Sequence, residues 1–192
     1  MNLEQLQQIA SGCNLCELFH GRKKPVFARG NPNSKIMICG MCPGPDENKI
    51  GSPFVGTAGK VLDEIIAYSN LEDVYITNLV KCFVQPGTSL KPEWVANCTP
   101  YLIVQLAILK PKIIVGLGAD VCNFLVNRDL SNPHLDNQDQ KIGQMRGKIH
   151  KATLGTKLVA TYHPSYLARG GGSQHRQFQT VVNDFNLALN YI

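Results

Sequence analysis

Apolar residues recur at Val61, Leu62, Ile65 and Ile66 within Ala58 to Tyr68, whereas Ser34 to Cys39, "SKIMIC", carries a short apolar run stopped by Gly40. The first pattern predicts a helix with one buried face, and the second predicts a strand. "VYITNLV" at 74–80 predicts another strand, and the scheme then repeats. Glu93 to Leu109 has helical spacing, Lys112 to Val115 reads as a fully buried strand, and Gly118 opens a helix that runs to about Val126. Two further strands are predicted at 147–151 and 157–162, with a closing helix over 175–190. Residues 3–10 predict a short leading helix.

Strand and helix alternate, so the expected fold class is α/β with a mainly parallel sheet. Between the first strand and the helix at 58 lies "GMCPGPDENKIGSPFVGTAG", dense in Gly and Pro, which predicts an ordered but irregular loop. Residues 127–145 are rich in Asn, Asp and Gln and are expected to form a mobile surface excursion. No repeat or linker divides the chain, and the Gly170-Gly171-Gly172 run reads as a flexible loop. A single domain over 1–192 is expected.

Composition narrows this only a little. A chain of 192 residues with 44% hydrophobic content can bury a sizeable core. A net charge of +5 leans toward a polyanionic partner without identifying one. The start, "MNLEQLQQIA", has neither the basic nor the apolar part of a secretory leader, and no stretch is long and apolar enough to span a bilayer. An intracellular, cytoplasmic protein is expected, with no membrane partner.

Cysteine usage adds chemistry. In an intracellular chain, seven cysteines make a poor disulfide framework, so metal binding, catalysis or burial must account for them. Cys13-x-x-Cys16 with Cys39-x-x-Cys42 has zinc-ribbon spacing. However, Cys39 closes a strand expected in the sheet, which cannot easily curl round an ion. The other set is Cys13 and Cys16 with Cys82, after the second strand, and Cys98, in a predicted helix. Four thiolates suit zinc or an iron–sulfur cluster, and spacing does not choose between them. Burial as small apolar side chains explains Cys82 and Cys98 equally well at this level. For Cys39 and Cys122 burial is the better reading.

"GMCPGPDENKIGSPFVGTAG", "TNLVKC", "CTPYL", "IIVGLGA" and "YHPSYLAR", in this order and spacing, resemble the family 4 uracil-DNA glycosylases, the iron–sulfur branch of the uracil-DNA glycosylase superfamily. The resemblance runs from Cys13 to the last helix, apart from the polar stretch near 127–145. It implies a three-layer α/β/α sandwich around a central, mainly parallel four-stranded sheet, with the site at the C-terminal strand ends. It also implies a [4Fe-4S] cluster on Cys13, Cys16, Cys82 and Cys98 with a structural role, and DNA as the partner of a monomeric enzyme.

The implied reaction is hydrolysis of the N-glycosidic bond of a flipped-out pyrimidine, uracil by default, leaving an abasic site. Such a site must stack the base, bond its edge, stabilise charge on O2 and place a water. The resemblance assigns stacking to Phe54, edge reading to Asn78 and hydrogen-bond donation to O2 to His163, with Gly40 and Cys42 against the base. Leu167 falls where the superfamily carries an apolar wedge that enters the duplex. Ser165, Arg169 and Lys81, with "MRGKIHK" at 145–151, are candidates for phosphate contacts. Gly44, Gly51, Gly56 and Gly59 would let backbone approach base or phosphate.

One position departs from the pattern. Where the family's opening loop carries a Glu implicated in catalysis, this chain has Met41, and Cys42 stands in place of a small residue. A thioether cannot activate water. Asp46 or Glu47 could supply the carboxylate, His163 with backbone donors could suffice for a slower reaction, or the pocket could serve a modified pyrimidine. A catalytically silent DNA-binding relative is the remaining alternative, and the retained Phe54, Asn78 and His163 oppose it.

Overall fold

A computed structural model describes residues 1–127 and 139–192. The chain opens with α1 (Leu3–Ser11) and α2 (Leu18–Gly21), then β1 (Ala28–Gly30) and β2 (Ile36–Gly40). Next come α3 (Pro45–Ile50), α4 (Thr57–Tyr68), β3 (Tyr75–Asn78), α5 (Pro92–Leu109), β4 (Ile113–Leu117) and α6 (Ala119–Asn127). After residue 138 follow α7 (Ile142–Met145), β5 (Ile149–Lys151), β6 (Lys157–Thr161), α8 (Pro164–Ala168) and α9 (Phe178–Leu189). Most of the polar stretch expected as a mobile excursion lies outside the described residues.

The strands form one sheet in the order β1-β3-β2-β4-β6-β5. The inner four are parallel, as the alternation of strand and helix predicts. The expected count of four strands needs correction, because β1 and β5 add antiparallel edges and bring the sheet to six. Both edges are three residues long and lack an apolar run, so β1 gives almost no pattern to read.

Alternation along the strands divides two cores between the faces of the sheet. Met37, Cys39, Tyr75, Ile114 and Leu158 pack with α1, α5 and α6, while Ile36, Ile38, Ile76, Val115 and Val159 pack with α4, α8 and α9. This is the three-layer sandwich. Each fully buried Ile contributes roughly 1.5–3 kcal/mol, so the central strands carry much of the stabilisation.

The chain crosses from β2 to β3 on one side, then from β3 back past β2 to β4 on the other. The C-terminal end of β2 is therefore a topological switch point, where an open α/β sheet forms its ligand crevice. The loop leaving β2 is more regular than its Gly and Pro content predicts. Pro45, with φ preset for a first helical turn, starts α3, and the Glu47 side chain accepts a hydrogen bond from the Gly44 N–H.

Candidate active site

A cleft of about 390 Å³ opens at that switch point, lined by Cys42 to Glu47, Phe54, Asn78, His163 and Ser165 among others. Residues distant in sequence converge there because β2, β3 and β6 run parallel and end on the same edge of the sheet, with β4 between β2 and β6. Gly40 pairs in register with Asn78, and His163 lies two residues beyond β6.

Gly40 permits a close approach of the cleft's side chains. A Cβ at this position would lie 2.4 Å from Asn78 Oδ1 and 2.5 Å from Phe54 Cζ, so a larger residue would displace both groups. Asn78 is 1% exposed, yet its Oδ1 has no hydrogen-bond partner among the described residues. A buried acceptor left unpaired costs roughly 1–3 kcal/mol, and here it belongs to a residue that lines the cleft.

Phe54 has φ 54°, a left-handed conformation that is rare for a bulky side chain. Its neighbours maintain it. Arg29 Nε donates to the Pro53 carbonyl at 3.0 Å and pairs with Asp63, while Gly59 leaves room for the Phe54 carbonyl, which would stand 1.9 Å from a Cβ there. Gly59 therefore accommodates the chain's own backbone and not a ligand.

His163 caps α8. Its Nδ1 accepts the Ser165 N–H at 3.1 Å and lies 2.8 Å from Ser165 Oγ, which leaves the ring proton on Nε2. Burial, reinforced by the nearby Arg169 charge and opposed by Glu47, holds its pKa down at about 4. The ring is neutral near pH 7, with an N–H free to donate. Its centroid lies 6.0 Å from that of Phe54.

The two acidic residues of α3 differ. Glu47 is buried and accepts from the backbone N–H groups of Gly44, Val55 and Gly56 at 2.9–3.1 Å, which ties the two ends of the loop together. Asp46 also lines the cleft but is exposed, with a loose 3.8 Å pair to Lys49.

Four sequence expectations change. Met41 is absent from the cleft: it packs against the α5 side of the sheet and lines a separate cavity with Val95, Asp120 and Phe124. The following residue, Cys42, faces the cleft instead, with its thiol pushed up to about 11 by burial and by Asp120. Position 41 therefore puts no side chain into the cleft, and a Met there gives no ground to expect a rebuilt pocket. Lys81 cannot meet DNA. It is 2% exposed, and its Nζ donates to Thr77 Oγ1 at 2.8 Å, to Gln105 Oε1 at 2.6 Å and to the Asn78 carbonyl. Leu167 is 0% exposed in the core beside α4 and α9, so it is not a wedge. Arg146, from "MRGKIHK", makes a two-pronged pair with the buried Asp184, which also accepts from Thr161 at the end of β6. By contrast, Ser165 stays at the cleft and Arg169 remains exposed.

Sequence reading missed Arg29, Asp63 and Asp184, since a single charge in a loop or helix carries no sign of what it will brace. It also missed Arg22. This guanidinium donates to Cys82 Sγ at 3.2 Å and to the Cys13 carbonyl at 2.6 Å, and the Lys81 N–H reaches Cys98 Sγ at 3.1 Å. Cys13, Cys16, Cys82 and Cys98 all line one small cavity beside these donors. Cys39 and Cys122 are fully buried elsewhere.

Comparison with known proteins places the chain in a family. The Uracil DNA glycosylase superfamily profile matches residues 27–186. A type-4 uracil-DNA glycosylase of Thermotoga maritima is 35% identical over 98% of this chain and 96% of its own. Those of Pyrobaculum aerophilum and Archaeoglobus fulgidus are each 34% identical, covering 88% and 85% of this chain and 86% and 82% of theirs. With the profile spanning most of its length and such relatives matching nearly end to end, the chain belongs to the uracil DNA glycosylase superfamily, on its type-4 branch.

Proposed function

We propose that this protein is a monofunctional DNA glycosylase that hydrolyses the N-glycosidic bond of uracil in DNA, acting as a monomer. The observation that carries the reading is the unpaired Asn78 Oδ1, a buried acceptor in the cleft, beside Phe54. Uracil bears a hydrogen on N3 that would satisfy it. Cytosine presents a lone pair there, which would leave the acceptor unpaired and cost the site part of its binding energy.

In the proposed mechanism the nucleotide leaves the stack and its base lies on Phe54. The C1′–N1 bond breaks, and its electron pair departs with the base, spreading onto O2. The neutral His163 donates Nε2–H to that oxygen, a contribution of roughly 3 kcal/mol for one preorganised donor. Asp46 orients a water, whose oxygen bonds to C1′ while its proton passes to the carboxylate. Glu47 takes no part in this step because three backbone donors occupy it.

Cys13, Cys16, Cys82 and Cys98 would hold a [4Fe-4S] cluster. The fit rests on four soft thiols around one cavity, with N–H donors aimed at two of the sulfurs. Among the described residues no three ligands form a ready ion site, so the thiols ring the cavity without closing on one metal. When bound, the group supplies a cross-link and no electron transfer, since hydrolysis requires none. Arg22 fastens the N-terminal loop to Cys82 in either case.

The test is incubation with single strands and duplexes carrying one uracil, a modified pyrimidine or only normal bases, followed by alkaline cleavage of abasic sites. Cleavage confined to uracil substrates is expected, with Asn78→Ala losing most of it. A folded protein that binds DNA but releases no uracil would overturn the reading. Iron and acid-labile sulfide assays on the purified protein test the cluster.

A further inference from the structure

Burial of Leu167 leaves the duplex-entering group unassigned. The short helix α8 explains why. Successive residues turn by about 100°, so Ser165 faces the cleft, Leu167 swings into the core and Tyr166 points outward between them. Tyr166 is 36% exposed, immediately beside the residue that fixes the tautomer of His163.

Its ring is held in place. His175 meets it edge-on with centroids 4.6 Å apart, and Tyr162 lies 5.4 Å away on a tilted plane. His175 is itself packed tightly over Gly170, where a Cβ would come within 2.2 Å of the imidazole, and its Nδ1 accepts the Gln177 N–H. Arg169 stands one turn along α8 from Ser165, and its guanidinium reaches the serine hydroxyl at 3.5 Å. A braced aromatic face with a cation nearby is what stacking on a DNA base needs.

We propose that Tyr166 is the wedge of this enzyme: it fills or abuts the gap left when the target nucleotide leaves the duplex, with His175 and Tyr162 holding its ring in position. This inference rests on the glycosylase reading above. Tyr166 is a positioning residue and does not touch the reacting bond. A wedge matters when a base pair must be opened and matters little on a single strand, whose target is already unpaired.

The experiment measures kcat/KM for wild type, Tyr166→Ala and Tyr166→Phe on uracil opposite adenine, uracil opposite guanine and uracil in a single strand. A 2-aminopurine beside the uracil reports base opening by fluorescence. Tyr166→Ala should lose roughly five- to a hundredfold on the duplexes, the range of one base–aromatic stack, with less than about a twofold change on the single strand. The fluorescence rise should slow in parallel, and Tyr166→Phe should behave as wild type. Equal losses on duplex and single strand, or no loss on the duplex, would overturn the assignment. Should the alanine variant melt early, Tyr166→Gln fills the position without a stacking face and must show the same duplex-selective loss. If the wild type releases no uracil from any substrate, the glycosylase reading itself has failed; if it is active and the losses are equal, only the wedge has.

Discussion

Asp46 and Glu47 are adjacent in the chain, yet the Glu47 carboxylate is closed off by three backbone N–H groups while that of Asp46 stands open to the cleft. One anion builds the loop and the other is free to act. Asp46→Asn should therefore lower kcat by roughly a hundredfold or more with little change in melting temperature. Glu47→Gln should cost about 2–3 kcal/mol, since an amide cannot accept all three bonds. Equal melting temperatures for the two variants would refute this division.

His163 predicts a specific pH dependence. Unfolded, its imidazole titrates near 6.5, whereas in the fold burial holds it at about 4. Between these values the unfolded chain binds a proton that the folded chain does not. This contribution to stability therefore rises from about pH 4 to about 6.5 and is level above. Denaturant midpoints at pH 4.5 and 7 should differ more in wild type than in His163→Gln. The same substitution should cut kcat by roughly a hundredfold at pH 7.

Restoring the family's acid at position 41 should not help. Met41 lies against the core in a cavity already bordered by Asp120 and Asp139, so Met41→Glu brings a third carboxylate into a half-apolar space. The expected outcome is a lower melting temperature and no gain in uracil release. A rise in kcat would mean that the loop can turn this side chain into the cleft.

Leu167 separates stability from wedge function. As a fully buried side chain packed with α4 and α9, it should cost roughly 2–5 kcal/mol when cut to alanine. The rate per folded molecule should hold on duplex and single strand alike. A duplex-selective loss in Leu167→Ala would return the wedge to this position.

Removing the proposed cluster should loosen one segment. The loop after α1 is tied to the remainder by Arg22 and, in the proposed holoenzyme, by the four thiolates. Chelation under reducing conditions should speed tryptic cleavage after Arg22 and Lys23, the second already exposed, well before the sheet unfolds. Unchanged cleavage would mean that α1 and Arg22 hold the segment unaided.

The long elements were legible in sequence because each buries a whole face or stripe. "SKIMIC" and the run from Lys112 to Val115 lie between two helix layers and are apolar on both sides, which a short window reveals. The edge strand β1 buries too little to leave such a pattern, whereas β5 falls within the strand expected at 147–151. Within the loop after β2, Gly and Pro predicted irregularity, but Pro45 at a first turn and Glu47 three residues past Gly44 specify a helix start, a signal the density of turn residues concealed.

The site divides similarly. The order and spacing of the motifs around Phe54, Asn78 and His163 were enough to show a resemblance to the uracil-DNA glycosylases, and the family match bears that out. Sequence could not tell which way neighbouring side chains turn. Met41 and Cys42 leave the end of a strand on opposite faces, and Tyr166 and Leu167 leave a short helix about 100° apart. In both pairs a shift of one position exchanges core for cleft or solvent. Lys81 looked like a surface cation until Thr77 and Asn78 of β3 and Gln105 of α5 closed round it. The sequence by itself determined the sheet, its helices and the kind of reaction, since burial periodicity and residue chemistry are local properties. Only the tertiary structure decided which carboxylate is open to the cleft, which side chain lines it and which aromatic of α8 faces solvent, because each depends on what packs against the residue from elsewhere in the chain.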